Sequence, residues 1–309
     1  MTEQRNIDPA LQDFAMRLGG ELGVNGRIHD GDFIFWFVHD ISPADAREGA
    51  VRAYHLGGRH DAEFLGDVLQ QHKMQKDGLS ILDFASGYGR VSRHIARVVP
   101  HAQVHACDIH EDAVRFLESI GIPSFISHVD PDKFTAPQTY DVIFVLSLFT
   151  HLPRRTWGRW LKVLADCLNP GGLLVFSAHG PHIWRHWNRC PLDADGYVFH
   201  GGSEQKDLSS SDYGNTLTMP EYVINVIRAN RLHLESYRSA GIGDHDVYVI
   251  RAVDDTLRLP SPEQLAHQHR LHVVAMQHYH SKIRPLVRDY RIRIKRTVKH
   301  LYRAARNRN

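Results

Sequence analysis

Ser80 to Arg90 constrain the fold of this chain more than any other stretch. They read Ser-Ile-Leu-Asp-Phe-Ala-Ser-Gly-Tyr-Gly-Arg. A short apolar strand ends at an acidic residue, Asp83, passes through a turn of small residues and feeds a helix predicted over Val91–Val98. A second apolar run, Gln103–Ile109, follows and carries Asp108 at its tip. Small side chains at Ala85, Ser86, Gly87 and Gly89 let backbone N–H groups approach a ligand closely, and the helix start adds unpaired donors at a positive dipole end. An acid about twenty residues beyond the turn suits the two hydroxyls of a ribose. The pattern predicts a nucleoside-cofactor site in a βαβ unit.

The remaining apolar runs extend that unit. Thr139–Ser147 opens on Asp141 and continues as a buried β-branched run, and Asn169–Ser177 enters through Pro-Gly-Gly. Pro123–His128 reads as a further strand. Runs of this length, bounded by turn residues and alternating with helical patterns, indicate parallel strands with right-handed crossovers. The ligand crevice then lies at the strands' carboxyl ends. Met219–Ala229 reads as a helix with Pro220 in its first turn. Leu232–Ser236 and Asp246–Ile250 read as an antiparallel pair.

A dinucleotide fingerprint requires Gly-x-Gly-x-x-Gly, and here the spacing is Ala85-x-Gly87-x-Gly89 with an acid two positions earlier. Asp-x-small-x-Gly-x-Gly resembles motif I of the class I S-adenosylmethionine-dependent methyltransferases, and the runs at Thr139–Ser147 and Asn169–Ser177 resemble that family's strands 4 and 5. The family usually has glycine where Ala85 stands. The resemblance covers roughly residues 80–252. It implies an α/β Rossmann-like fold with a seven-stranded, mostly parallel sheet in the order 3-2-1-4-5-7-6, and S-adenosyl-L-methionine as cofactor. On that resemblance the turn residues Asp83, Ala85, Ser86, Gly87 and Gly89 pass the methionine part and Asp108 binds the ribose. Ile109 lies against the adenine, Val129 and Asp130 reach the adenine edge, and Ser147 faces the crevice. Asp130-Pro131-Asp132 can equally be a simple turn. Upstream, Tyr54-x-x-x-Gly58 resembles the family's helical cap over the methionine end, although a helix broken at a glycine would read the same way.

Methyl transfer is an in-line displacement at carbon, so the protein supplies alignment, a dry site and often a base for the acceptor's proton. His151, directly after strand 4, resembles the histidine that many small-molecule methyltransferases carry there, and His179 follows strand 5. Both are candidate bases, and each can instead order its loop or bond the cofactor. Residues 179–218 form a long insertion rich in aromatic and acidic residues, among them Trp184, Trp187, Asp193, Asp195, Tyr197 and Tyr213. Aromatics mixed with acids suit a small hydroxylated or glycan acceptor, or a lid with its own core. Ser147…Thr150-His151-Leu152, His179-Gly180 and Pro220-Glu221-Tyr222-Val223 are similar to stretches in methyltransferases of bacterial sugar-modification clusters, which implies O-methylation of a saccharide or similar small acceptor. A cofactor-binding assembly module without turnover, and an RNA or protein methyltransferase, stay open as alternatives. The Asn/Asp-Pro-Pro-Tyr/Phe-like signature of base N-methyltransferases does not occur after strand 4.

Composition bounds the rest. Three cysteines, Cys107, Cys167 and Cys190, are too scattered for a disulfide framework or zinc site, and the 23 histidines lack ligand spacing, so no metal is expected. No signal peptide opens the chain and no run of eighteen apolar residues occurs, so a cytoplasmic protein is expected. The net charge of +2 hides an asymmetry. Residues 282–309 hold eleven Lys or Arg and one acid, +10, which leaves −8 for residues 1–281. Ile283, Val287, Tyr290, Ile294, Val298, Leu301 and Ala305 recur at helical spacing as one apolar stripe. That basic helix packs on the body, contacts an anionic membrane face peripherally, or binds nucleic acid; the acidic body argues against the last. The expected organisation is a helical cap at 1–79, the cofactor domain at 80–252 with its insertion at 179–218, and a basic helical tail at 253–309.

Overall fold

The computed structural model describes residues 5–42, 47–74, 76–187, 189–202, 205 and 207–252. The chain divides into two units, residues 1–256 and 257–309; the predicted basic helix falls in the second, outside the described residues.

The first three elements are helices. The first, α1 (Pro9–Leu22), starts where Asp8 accepts from the Ala10 N–H with proline at its first position, and it stops at Gly23 in the left-handed region. The apolar run after Asp32 is a helix, α2 (Phe33–Ile41), because the Asp32 carboxylate accepts the Phe35 N–H at 3.0 Å and so caps it. Phe35 is fully buried, whereas Ile34, Phe37 and Ile41 lie exposed along one side of α2. The third, α3 (Arg47–Gln71), runs unbroken for 25 residues through Gly57 and Gly58.

The expected βαβ series follows. It comprises β1 (Ser80–Phe84), α4 (Ser92–Val98), β2 (Gln103–Asp108), α5 (Glu111–Ser119), β3 (Ser124–Ile126), β4 (Tyr140–Val145), α6 (Arg154–Asp166) and β5 (Leu168–Ala178). The chain continues through α7 (Pro181–His186), β6 (Tyr197–Gly201), β7 (Gly214–Thr218), α8 (Pro220–Ala229), β8 (His233–Ile242) and β9 (His245–Arg251). The main sheet has seven strands in the order β3-β2-β1-β4-β5-β9-β8. Its first five are parallel, while β9 runs antiparallel between β5 and β8. This is the expected 3-2-1-4-5-7-6 order, with β6 and β7 set apart as a separate two-stranded hairpin inside the insertion. Two boundaries differ from expectation. Pro170-Gly171-Gly172 lies within β5 beside a register break against β4, and β8 extends well past Ser236.

Strand alternation fills two layers. Leu82, Phe84, Ile143, Val145, Leu174 and Phe176 pack with Trp157, Trp160 and Leu161 of α6 and with Val223 of α8. Their neighbours Ile81, Val142, Phe144, Leu173 and Val175 pack with Leu65 and Val68 of α3 and with Ile95 of α4. Burial on both faces explains why these strands read as continuous apolar runs. Asp141 ties the amino ends of the sheet together: its carboxylate accepts from the Ser80 N–H at 3.0 Å, the Ser80 hydroxyl at 3.1 Å and the Asn169 amide at 3.0 Å. The opposite, carboxyl edge is left to the loops that carry the site.

Candidate active site

The turn between β1 and α4 is bent by three residues with positive φ: Ala85 (58°), Gly87 (55°) and Gly89 (74°). Gly89 has a second constraint, since a Cβ there would sit 2.5 Å from Leu117 Cδ2. An added Cβ at Gly87 meets nothing within 4 Å, so the turn is open on that side. Ala85 holds a conformation that glycine adopts freely and that costs an L-residue about 1–2 kcal/mol. Ala85→Gly relieves that strain but adds about 0.4–1 kcal/mol of unfolded-chain entropy. The expected result is an unfolding free energy, from urea denaturation, unchanged or raised by up to about 1 kcal/mol; a clear loss of stability would mean that the methyl group packs productively.

Asp108 stands at the tip of β2, 6% exposed. Its Oδ2 accepts the Gly87 N–H at 2.8 Å. Its Oδ1 accepts both the backbone N–H and the ring Nδ1–H of His110, at 3.0 and 2.9 Å. Asp83 lies beneath the turn, 3% exposed, where the Ser92 hydroxyl donates to its Oδ2 at 2.5 Å. Burial pushes its carboxyl up to about 7. Asp83 therefore anchors the start of α4 below the turn, and Ser86 donates its N–H to Cys107 O at 3.0 Å, fixing the turn on β2. Asp130 is committed to its own turn: it accepts from the Asp132 N–H and pairs with Arg159 at 2.8 Å, while Val129 stays exposed. A sulfonium nucleoside fits this frame. Asp108 keeps acceptor capacity on Oδ2, and the turn is open above Gly87.

The cap is fastened to the same turn. Tyr54, 1% exposed, donates its hydroxyl to Asp32 at 2.5 Å. Gly58 is neither broken nor strained; a Cβ there would lie 2.0 Å from the Arg90 carbonyl oxygen, so α3 packs directly on the turn's backbone. Arg90 pairs with Asp61 of α3 at 2.5 Å. Arg93, which the sequence reading missed, is 6% exposed and donates to the carbonyls of Gly89, Asn25, Arg27 and Tyr88 at 2.8–2.9 Å. One buried guanidinium thus binds the loop between α1 and α2 to the turn between β1 and α4. A basic residue four places beyond Gly89 reads in sequence as an ordinary helix surface, so no signal marked it.

On the acceptor side, His151 and His179 come together with a third histidine. The ring centroids of His151 and His179 are 6.4 Å apart, and His245 lies 4.7 Å from His179. His245 opens β9 and was also missed, because Asp244-His245-Asp246 reads only as a strand start. His151 Nδ1–H donates to Gly214 O at 2.6 Å and its ring stacks on Tyr213 at 4.4 Å. In the neutral ring that tautomer puts the lone pair on Nε2. His179 donates Nδ1–H to Thr216 O at 3.0 Å, with Trp187 against its ring at 5.1 Å. Burial pushes the His179 imidazole down to about 3 and that of His245 down to about 4. Ser147, two residues past β4, lies in the left-handed region at φ 74°; its N–H donates to the Ser177 hydroxyl at 2.8 Å, and Ser177 lies 3.3 Å from His245 Nδ1. Trp184 and Tyr197 bond within the insertion or to its base, at Cys190 O and Leu152 O, and Asp193 and Asp195 pair with Arg154. Those four build the insertion; Trp187 and Tyr213 flank the histidines. Among the described residues no group of three or more His, Cys, Asp or Glu could hold a metal ion. A surface hollow of about 630 Å³, lined by Glu63, Gly66, Gln70, Lys76 and Val98, lies at the amino ends of β1 and β2, on the opposite edge of the sheet.

These buried rings make stability depend on pH. His55 and His94, at the contact of α3 with α4, are pushed down by burial to about 3 and 4. With His179 and His245, four imidazoles stay neutral in the fold and take up protons near 6.5 when unfolded. Their contribution is complete above pH 6.5 and is lost as pH falls toward 4 and 3, at about 1.4 kcal/mol per unit for each group. Three carboxyls raised by burial, Asp83 to about 7 and also Asp32 and Asp246, act in the opposite sense and stabilise the fold as pH falls toward their unfolded values. The four imidazoles outnumber the three carboxyls. The thermal midpoint is expected to drop by several degrees or more between pH 7.5 and 5; a flat or rising profile would contradict the burial of these rings.

Comparison with known proteins agrees with this geometry. The family model described as a methyltransferase domain matches residues 82–174. The chain is 26% identical over 156 residues to pavine N-methyltransferase of Thalictrum flavum subsp. glaucum, covering 48% of this chain and 43% of that one. It is 28% identical over 137 residues to (S)-coclaurine N-methyltransferase of the same plant, covering 41% and 37%. The chain thus spans less than half the length of the curated relatives it matches. Among solved structures, an S-adenosylmethionine-dependent methyltransferase from Clostridium acetobutylicum superposes on 62% of this chain and 91% of its own, with 12% identity and a TM-score of 0.47. The methyltransferase domain matched at residues 82–174 and the strand order of the main sheet support a class I S-adenosylmethionine-dependent methyltransferase.

Proposed function

We propose that this protein transfers a methyl group from S-adenosyl-L-methionine to a hydroxyl of a saccharide or similar small acceptor. The observation that carries the proposal is that the Asp108–Gly87 contact and His151, held through Gly214 and Tyr213, stand at one edge of the sheet. When bound, the cofactor supplies an activated methyl group on a sulfonium. Asp108 accepts the ribose hydroxyls, and the Ala85–Gly89 turn presents its backbone to the methionine part. Tyr54, Asp32 and Arg93 lock the cap over that end and exclude water. His151 takes the acceptor proton at Nε2 as the new bond forms. His179 is the weaker candidate, because an imidazole held near 3 has little affinity for a proton at neutral pH. Trp187 and Tyr213 offer ring faces on which a sugar can stack.

A second reading, transfer to an amine nitrogen, is favoured by the names of the two curated relatives, both N-methyltransferases. Incubation with methyl-labelled cofactor and separate panels of nucleotide sugars, glycans and small amines separates the two. Label on oxygen supports the first reading and label on nitrogen the second. Cofactor binding with no transfer to any panel would favour an assembly module. RNA binding with steep salt dependence would instead favour a nucleic-acid substrate. We further propose that the basic segment 282–309 contacts an anionic membrane face. Pelleting with anionic vesicles should then fall sharply when that segment is removed. Among the described residues no helix is long and apolar enough to cross a membrane.

A further inference from the structure

His110 belongs to neither the turn nor the acceptor histidines, yet it touches both halves of the site. Its Nδ1–H donates to Asp108 Oδ1 at 2.9 Å, and its Nε2–H donates to Asp207 Oδ2 at 2.8 Å, across 97 residues of sequence. A ring that donates from both nitrogens is an imidazolium, and the bond to Asp108 holds its pKa above the ordinary value. Asp207 begins the segment that leads through Ser209 to Tyr213, which stacks on His151. Gly214 exchanges two backbone contacts with His151, its N–H to His151 O at 2.9 Å and its carbonyl from His151 Nδ1 at 2.6 Å. The segment 207–214 therefore joins Asp108, through the His110 ring, to the candidate base.

Counting acceptor sites shows why this matters. A carboxylate offers about four lone-pair positions, two on each oxygen. Here Oδ1 receives two N–H groups from His110 and Oδ2 receives one from Gly87. One position remains, and a ribose diol needs two. The backbone N–H groups are fixed by the turn and by the start of α5, so the His110 ring is the donor that can leave.

We propose that His110 couples the two halves of the site: the cofactor's ribose displaces its ring from Asp108, and with the ring the segment 207–213 loosens for the acceptor to enter. His110 is a positioning residue in this scheme, and cofactor binds before acceptor. The coupling rests on the cofactor assignment made above.

The test is titration of the full chain with S-adenosylhomocysteine, combined with hydrogen exchange over residues 207–216. In wild type, adding the nucleoside should speed exchange across 207–213. In His110→Ala the segment should exchange fast from the start and not respond. That variant should also bind S-adenosylhomocysteine about 3- to 10-fold tighter, since the competitor for Asp108 is gone. Asp207→Asn, at an exposed position, leaves the fold intact and should shift both readings in the same direction by a smaller factor. Weaker binding in His110→Ala, or wild-type exchange at 207–213 that ignores the nucleoside, would overturn the coupling alone. Absence of binding in every variant would overturn the cofactor assignment and the coupling with it.

Discussion

Asp108→Ala should lower the affinity for S-adenosylhomocysteine by about two orders of magnitude. Each hydrogen bond from a neutral hydroxyl to a charged carboxylate contributes about 1.5–3 kcal/mol net, and the ribose makes two. Part of the gain is offset because the His110 ring must leave Oδ1 in the wild type, so the smaller end of that range applies. About 3 kcal/mol corresponds to roughly 100-fold. The variant also removes the acceptor for the Gly87 N–H, which frees the turn locally but leaves the sheet beneath it intact. Asp108→Asn keeps the shape and half the acceptors and should fall between the two. Calorimetry checks both, with circular dichroism reporting the fold. Unchanged affinity in Asp108→Ala would remove the ribose from this strand tip.

His151→Ala should lower kcat by about 10²- to 10⁴-fold while leaving the affinity for S-adenosylhomocysteine within a factor of two. The ring lies on the acceptor side, stacked on Tyr213 and fixed by Gly214, so its loss removes a proton acceptor and not a cofactor contact. His179→Ala should cost much less turnover, because that ring is buried and held near 3. Its loss should appear instead in stability, since the Thr216 carbonyl then lacks its donor. A kcat–pH profile sharpens the distinction. An ascending limb in wild type should vanish in His151→Ala and persist in His179→Ala. Equal loss of kcat in the two variants, with cofactor affinity preserved, would contradict the assignment of the base.

The order of the main sheet was legible because a parallel strand is buried on both faces and announces itself as an uninterrupted apolar run. Ser80–Phe84 and Tyr140–Val145 do so apart from one aspartate each, whereas Gln103–Asp108 is broken by His105 and is buried only over its last three residues. The turn between β1 and α4 was legible for a different reason: its backbone needs small residues, and that need leaves a mark on sequence. Other features leave no such mark. The run at Asp32 is a helix because one carboxylate caps it, a contact invisible in an unbroken string of apolar residues. Arg93 reaches across 66 and 68 residues to the carbonyls of Arg27 and Asn25, and nothing local distinguishes it from Arg97. The insertion's hairpin, Tyr197–Gly201 with Gly214–Thr218, is held apart by a long connection, so its pairing could not be inferred from turn residues. His245 and His110 acquire their settings from tertiary neighbours alone. The positive φ at Ala85 lies between these cases, since the family's usual glycine marks the conformation and this chain adopts it with alanine.

The central claim is that the crevice above β1 and β2 takes a sulfonium nucleoside. Isothermal titration of the full chain with S-adenosylhomocysteine, and separately with an oxidised nicotinamide dinucleotide, tests it most directly. One saturable site for S-adenosylhomocysteine, weakened about 100-fold by Asp108→Ala, and no binding of the dinucleotide are the expected results. Saturable binding of the dinucleotide with none of S-adenosylhomocysteine would contradict it.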